Sequence, residues 1–170
     1  MEELFSLGKL YVSDFLKPGE NPRNEKVEMK LMLDKETGCV RLSESAPMDC
    51  MYGKYWYRSG INQTMKDELK NIVDSISKVY TLKENDLWLD IACNDGTLLS
   101  YVPQNMLRVG IDPSDDSFKV ESEKHSNLII QDFFSYEAYA NSKFANIKPK
   151  VITTIAMFYD LENPDKFIQD

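Results

Sequence analysis

The chain has 170 residues, of which 42% are hydrophobic and 28% charged, which suits a globular domain with a sizeable core. No apolar run approaches the roughly 20 residues that a membrane helix needs, and the acidic start Met1–Glu3 is unlike a secretory signal. The formal net charge of −8 argues against a nucleic-acid backbone as the main partner, so we expect neither nucleic acid nor membrane as a partner.

The cysteines and the single histidine indicate no metal site. Cys39, Cys50 and Cys93 are odd in number and widely spaced, so they form no disulfide framework, and a reducing cytoplasm is the natural compartment. His125 lies in a polar, charged segment, which is typical of a surface residue. A zinc site or a Ser-His-Asp triad therefore has few residues to draw on.

Residues 1–58 are predicted to form a small β-rich lobe. Val27–Leu33 alternates apolar and polar residues over most of its length, which is typical of a strand with one solvated face. A turn follows at Asp34–Gly38, and Cys39–Leu42 can return as the hairpin partner. The remaining residues, 59–170, form the second predicted domain.

Four aromatic residues occur from Tyr52 to Tyr57, at the end of the first predicted domain, and Ser59–Gly60 follows them at the start of the second. An aromatic cluster of this kind can simply pack one element on another. From Ile61 to Val79 apolar residues recur every three or four positions, which predicts a helix that covers one face of a sheet. Asn62 or Thr64 can cap its start.

The stretch Leu87–Leu99 predicts a buried strand, a tight turn and the start of a helix. Leu87–Ala92 is an apolar run broken only by Asp90, and Gly96 can take backbone angles that other residues avoid. A strand, turn and helix of this kind can direct backbone N–H groups at a ligand. The dinucleotide-binding pattern GxGxxG is absent.

Three further strands are predicted, at Leu107–Asp112, Asn127–Ile130 and Lys150–Met157, with helical stretches between them. A helix is expected to begin at Ser114, and another at Asn163–Pro164. Strands that alternate with helices predict an α/β fold with a Rossmann-like parallel sheet.

Acidic residues stand at three successive strand ends: Asp90, Asp112 and Asp132. Ligands of such sheets bind at the carboxyl ends of the strands, and Asp112, 22 residues after Asp90, is placed to accept hydrogen bonds from ribose hydroxyls. It would repel a phosphate, so it fits S-adenosylmethionine (SAM) or NAD better than NADP. A single acid of this kind is more often a helix cap or a surface residue, but three at successive strand ends favour a nucleoside site.

Asp90, near the end of the strand predicted at Leu87–Ala92, together with Cys93–Leu99 resembles motif I of class I SAM-dependent methyltransferases. The form Asn94-Asp95-Gly96 resembles the nucleotide-deoxysugar C-methyltransferases. The resemblance implies SAM as cofactor, a nucleotide-linked deoxysugar as substrate and C-methylation as the reaction.

The resemblance also implies roles for individual residues. Asp90, Asn94, Asp95 and Gly96 would hold the methionine part of SAM and form the turn. Asp112 and Pro113 would lie at the ribose, and Asp132 and Phe133 at the adenine. Tyr55 and Tyr57 would contact substrate or SAM, with Ser59 and Gly60 in close backbone approach.

The catalytic machinery of that family is only partly matched. Asp160 falls near the family's histidine after the fourth strand, and a later Glu-His pair has no counterpart before Asp170. Only four of the family's seven strands can be placed, so we expect an N-terminal portion that self-associates through an uncovered sheet edge. The family's zinc lobe has cysteines where this chain has Asp34 and Thr37, so no structural zinc is expected, and apolar contacts should hold the lobe.

Two alternatives of other classes remain open. One is a non-catalytic module that binds a nucleoside or SAM. The other is an NAD-dependent oxidoreductase of sugar nucleotides, against which the absence of GxGxxG counts.

Overall fold

The structure is a computed structural model, and it describes residues 1–12, 16–22, 26–52 and 55–170. The chain divides into two compact units, Met1–Lys54 and Tyr55–Asp170. Each unit has its own sheet.

The N-terminal unit is a three-stranded antiparallel sheet in the order β1-β2-β3. Its strands are β1 (Glu2–Tyr11), β2 (Lys26–Leu33) and β3 (Val40–Leu42), and a short helix, α1 (Met48–Tyr52), follows them. The predicted hairpin is confirmed, because Leu33 pairs with Val40 across the turn. The N–H of Gly38, at φ 75°, donates to the carbonyl of Asp34 at 2.8 Å and closes that turn.

No residue described between positions 1 and 54 is fully buried, and Val27, Leu31 and Leu33 of β2 are half-buried. Polar pairs also connect the strands: Lys30 lies 3.1 Å from Glu3, and the Ser6 hydroxyl donates to Glu28 at 2.9 Å. The expectation that apolar contacts hold this lobe stays a prediction.

The second unit begins with a 3₁₀ turn (Ser59–Ile61) and the predicted long helix, α2 (Gln63–Val79). Asn62 caps the helix, since its Oδ1 accepts a hydrogen bond from the N–H of Thr64 at 2.9 Å. Ile61 and Val79, expected on the buried face, are 76% and 74% exposed. They stand before and at the end of the helix, beyond its packed middle.

Four parallel strands form the second sheet, in the order β6-β5-β4-β7. They are β4 (Leu87–Ile91), β5 (Leu107–Ile111), β6 (Leu128–Ile130) and β7 (Val151–Thr154). If these four strands are numbered 1 to 4 in chain order, their order in the sheet is 3-2-1-4, which is the order of a Rossmann-like half-sheet. The predicted fold class is therefore confirmed. Strand β7 ends before the expected Met157, and Ala156 just beyond it has φ 56°, which no strand residue adopts.

Four shorter helices connect or follow these strands: α3 (Thr97–Tyr101), α4 (Asp116–Glu123), α5 (Tyr136–Ala140) and α6 (Pro164–Gln169). Asn163 caps α6, as expected. The cap of α4 is Asp115, which accepts from the N–H of Ser117 at 2.9 Å; the expected cap, Ser114, is wrong. None of the helices in the described part of the chain is both long and apolar enough to cross a bilayer.

Strand β4 lies at the centre of the unit and is buried on both faces. Trp88 packs on one side with Leu69 and Val73 of α2 and with residues of α3. Leu87, Leu89 and Ile91 face the other side, toward Val109, Ile111 and Tyr139. The sheet therefore lies between two helical layers, and the carboxyl ends of its strands form one open edge.

Candidate functional site

The loop between β4 and α3, residues 92–96, forms the middle of the carboxyl edge. Ala92, Asn94 and Gly96 have positive φ angles of 59°, 53° and 75°. A Cβ atom at position 96 would lie 2.7 Å from the Cα of Ser122, so side chains are excluded by backbone contact as well as by conformation. The predicted tight turn with an essential glycine is confirmed.

Backbone N–H groups of this loop donate to the protein itself. The N–H groups of Ala92 and Cys93 bond to the carbonyl of Ile111 at 2.8 and 3.3 Å, and that of Gly96 bonds to Cys93 at 2.9 Å. The N–H of Thr97, at the start of α3, donates to Asp95 Oδ1 at 3.2 Å. These four amides therefore donate within the protein, and contact of the loop's other N–H groups with a ligand stays a prediction.

Asp112, directly after β5, is held by two backbone amides. Its Oδ2 accepts from the N–H of Asn94 at 2.7 Å, and its Oδ1 accepts from the N–H of Ser114 at 2.9 Å. The residue is buried. Each carboxylate oxygen has a second lone pair, so the group is oriented and can still accept from a diol.

Asp90, expected at the end of its strand, lies within β4, is buried and belongs to a short hydrogen-bond chain. The indole N–H of Trp88 donates to Thr153 Oγ1 at 3.0 Å, and the Thr153 hydroxyl donates to Asp90 Oδ1 at 2.6 Å. Burial raises the pKa of Asp90 to about 7; the Thr153 hydrogen bond opposes this, and the charge of Asp112 adds to it. Sequence reasoning missed Trp88 and Thr153, although a threonine within an apolar strand is a visible signal.

The side chains of Asn94 and Asp95 form hydrogen bonds to the backbone of residues 55–60, which we call the aromatic segment. Asn94 accepts from the N–H of Ser59 with Oδ1 and donates to the carbonyl of Tyr57 with Nδ2, both at 3.0 Å. Asp95 Oδ2 accepts from the N–H of Gly60 at 2.8 Å. The two side chains thus fasten the aromatic segment to the loop.

The close approach expected at Gly60 is made to this loop. A Cβ atom at position 60 would lie 2.9 Å from Thr97 Oγ1 and 3.0 Å from Asp95 Oδ2. Contact of Ser59 and Gly60 with a cofactor stays a prediction.

Arg58, which sequence reasoning missed, provides a second attachment of the aromatic segment. Its guanidinium carbon lies 4.0 Å from the ring centroid of Phe118, and its Nη2 donates to Ser117 Oγ at 2.6 Å. The signal available in the sequence was an arginine directly after an aromatic cluster, which stacking favours.

Electrostatic interactions connect Tyr55 to the other two residues expected at the reaction centre. The pKa of Tyr55 is raised, mainly by burial and then by its interactions with Tyr159, Asp160, Tyr57 and Asp112. Asp160 is exposed and ends the 3₁₀ turn Phe158–Asp160 after β7. The arrangement therefore brings Tyr55 within electrostatic range of Tyr57, Asp160 and Asp112, and the roles of these residues stay predictions.

The residues expected at the adenine and ribose lie at the ends of β6 and β5. Asp132 is exposed, and its Oδ1 accepts from the N–H of Phe133 at 2.8 Å. Phe133 and Pro113 are half-buried. Asp132, Phe133 and Pro113 lie at the same carboxyl edge of the sheet as Asp112. Their contacts with a cofactor stay predictions.

Cys93 is buried against Gly110, where an added Cβ atom would lie 2.5 Å from the sulfur. Burial raises its pKa well above the ordinary value, and the charges of Asp90 and Asp112 add to the rise. The thiol therefore stays protonated and is not a nucleophile. Within the described residues, no three acidic, cysteine or histidine side chains cluster as metal ligands.

No protein-family model matches the chain, and no curated protein matches it. Among solved structures, the chain is similar to the plantazolicin methyltransferase BpumL in complex with SAH, at 20% identity and a TM-score of 0.45. The alignment covers 59% of this chain and 38% of the BpumL chain, so it spans less than half of that protein.

Proposed function

We propose that this chain binds SAM at the carboxyl edge of its parallel sheet and is the SAM-binding portion of a methyltransferase. The observation that carries the proposal is the way the carboxylate of Asp112 is held at the end of β5. Two backbone N–H groups orient its buried carboxylate, and each oxygen keeps a lone pair for a ribose hydroxyl.

The state of the loop amides favours SAM over a dinucleotide. A pyrophosphate is normally held by free N–H groups of a glycine-rich turn and helix start. Here the amides of Ala92, Cys93, Asn94 and Gly96 are bonded within the protein. The acids at the edge, Asp112 and Asp132, would also repel phosphates, whereas a positively charged sulfonium is compatible with them.

The chain supplies groups for each part of such a ligand. Asp112 accepts from the ribose, while Asp132 accepts from the adenine amino group and Phe133 packs on the ring. Tyr55 and Tyr57 offer aromatic faces to the sulfonium. When bound, SAM supplies an electrophilic methyl group.

The motif resemblance extends the proposal to a substrate, a nucleotide-linked deoxyketosugar that is methylated on carbon. Such a reaction needs a base for the proton next to the carbonyl. Asp160 is the candidate base, because the raised pKa of Tyr55 keeps its phenol protonated at neutral pH.

One observation favours a second candidate, a SAM- or nucleoside-binding module without turnover. Asp160 is exposed to solvent, so water is not excluded from the candidate base. Binding and turnover therefore need separate experiments.

The binding experiment is a thermal-shift and calorimetric titration with S-adenosylhomocysteine, with NAD as the comparison ligand. We expect a saturable rise in melting temperature with the first ligand only, equivalent to about 2.7 kcal/mol at a hundred times the dissociation constant. Asp132→Ala removes an exposed group and should weaken binding without unfolding the chain. Asp67→Asn, an exposed acid of α2, is the matched control and should bind normally.

Absence of a shift with S-adenosylhomocysteine, on a chain that melts cooperatively, would contradict the proposal, and so would an equal shift with NAD. Turnover is then tested by methyl transfer from labelled SAM to a nucleotide-linked deoxyketosugar. Loss of transfer in Asp160→Asn, with unchanged cofactor affinity, would support the base. Cofactor binding without transfer would favour the module without turnover.

A further inference from the structure

A cavity lies between the aromatic segment, the β4–α3 loop and helices α2, α3 and α4. Its volume is about 540 Å³. Its polar lining includes Arg58, Lys66, Thr97, Ser100, Ser117 and His125.

The cavity wall carries basic groups with unused hydrogen-bond donors. Lys66 and His125 are half-buried, and neither side chain has a hydrogen bond or ion pair within the part of the chain that the structure describes. Arg58 has five N–H donors and directs two toward Ser117, which leaves three. Three basic side chains thus line one cavity of a chain whose net charge is −8.

The acids in the same wall are already engaged. Asp95 accepts from the N–H of Gly60 and from the N–H and hydroxyl of Thr97. Glu121 pairs with Lys124 at 2.7 Å. The wall therefore offers unused donors of Arg58 and Lys66 beside carboxylates that already have hydrogen-bond partners.

We propose that this cavity binds the phosphate group of a small phosphorylated molecule, through Lys66, His125 and the remaining donors of Arg58. Basic side chains bind phosphate oxygens with strong, charge-assisted hydrogen bonds. The volume exceeds that of a phosphate, and the hydroxyl groups of Ser100, Thr97 and Tyr101 in the wall suit a polar, sugar-sized remainder. The cavity wall shares Gly60 and Asp95 with the residues expected at SAM, whereas Arg58, Lys66 and His125 are not among those residues, so variants at these three positions test the phosphate site by itself.

The test is a titration of the whole chain, followed by calorimetry and amide NMR, with ribose 5-phosphate, ribose and inorganic phosphate at constant ionic strength. We expect saturable binding of ribose 5-phosphate, weaker binding of inorganic phosphate and none of ribose, with the largest amide shifts around residues 58, 66 and 125. Lys66→Gln and His125→Gln should each weaken binding about tenfold, the effect of one lost charged hydrogen bond.

Two further variants are controls for the loss of charge and for its position. Lys83→Gln makes the same charge change at an exposed position outside the cavity and should bind normally. Lys66→Arg keeps the charge and should retain binding. Affinity unchanged in both Lys66→Gln and His125→Gln would overturn the proposal, as would equal losses in Lys83→Gln. Binding of inorganic phosphate but not of ribose 5-phosphate would overturn the assignment to a phosphorylated organic molecule.

Discussion

Asp95 accepts a 2.8 Å hydrogen bond from the backbone N–H of Gly60, a residue 35 positions earlier in the chain. The contact leaves no room for a side chain at Gly60, since a Cβ atom there would lie 3.0 Å from the same carboxylate. Motif residues expected at a ligand therefore also hold the aromatic segment beside the loop. Damage to this contact should affect stability and ligand binding together.

Gly60→Ala should destabilise the second unit by about 1–3 kcal/mol, the usual range for overpacking. The added methyl group meets Thr97 Oγ1 first, at 2.9 Å. The same change made in a Thr97→Ala background should therefore cost less. Urea unfolding of the four chains of this double-mutant cycle measures the difference. An equal cost in both backgrounds would show that Thr97 is not the obstacle.

Asn94→Ala should loosen the aromatic segment, because it removes both hydrogen bonds to the backbone of Tyr57 and Ser59. We expect a loss of about 1–3 kcal/mol in stability. Hydrogen exchange should accelerate most at the amides of residues 57–60. Asn141→Ala, at an exposed position, is the control and should leave that exchange unchanged. If amide hydrogen exchange accelerated equally over the whole second unit, Asn94 would stabilise the fold as a whole and not the aromatic segment in particular.

Gly96→Ala should be far more damaging than Gly38→Ala, although both residues have φ 75°. A Cβ atom at Gly38 meets nothing within 4 Å, so only the left-handed conformation is penalised, by about 1–2 kcal/mol. At Gly96 the methyl group would also meet the backbone of Ser122. Far-UV circular dichroism and denaturant unfolding compare the two variants. Similar losses would mean that α4 moves aside without cost.

Asp90 should make stability fall as pH rises from about 4 to about 7. Its pKa is about 7 in the folded chain, against 3.8 without the protein environment, so the folded state keeps a proton that the unfolded state has lost. Stability contributed by this group is therefore complete below about pH 4 and lost above about pH 7. At 1.36 kcal/mol for each pKa unit the loss is about 4 kcal/mol.

The difference in unfolding free energy between the natural chain and Asp90→Asn, measured from pH 4 to 8, isolates this effect. The asparagine variant should gain stability relative to the natural chain as pH rises. A flat difference would place the pKa of Asp90 near its ordinary value.

Thr153→Val should raise the pKa of Asp90 further, because the lost hydroxyl donates to the carboxylate. It also leaves the indole N–H of Trp88 buried without its acceptor, at a cost of about 1–3 kcal/mol. Carbon-13 NMR of the aspartate carboxyl groups reads the titration directly. Thr153→Ser retains the hydroxyl and should keep the pKa near that of the natural chain. A lower pKa in Thr153→Val would contradict the hydrogen-bond assignment.

Local pattern by itself determined the elements and the class of fold. Apolar runs, helical spacing and turn residues predicted the four parallel strands, α2 with its Asn62 cap and the glycine turn at Gly96, because these depend on neighbours along the chain. The same patterns predicted Asp90 and Asp112 at the carboxyl ends of two neighbouring strands; Asp112 directly follows β5, whereas Asp90 lies within β4.

Tertiary structure alone decided what those residues contact. The bonds of Asn94 and Asp95 to the aromatic segment, the Trp88–Thr153–Asp90 chain and the stacking of Arg58 on Phe118 join residues 35 to 65 positions apart. No local pattern records such pairings, because they form only when packing brings distant segments within hydrogen-bond distance. For the same physical reason the exposure of the N-terminal strands could not be foreseen: none of the residues described there is fully buried, and burial depends on packing partners that the alternation of residues in a strand does not specify.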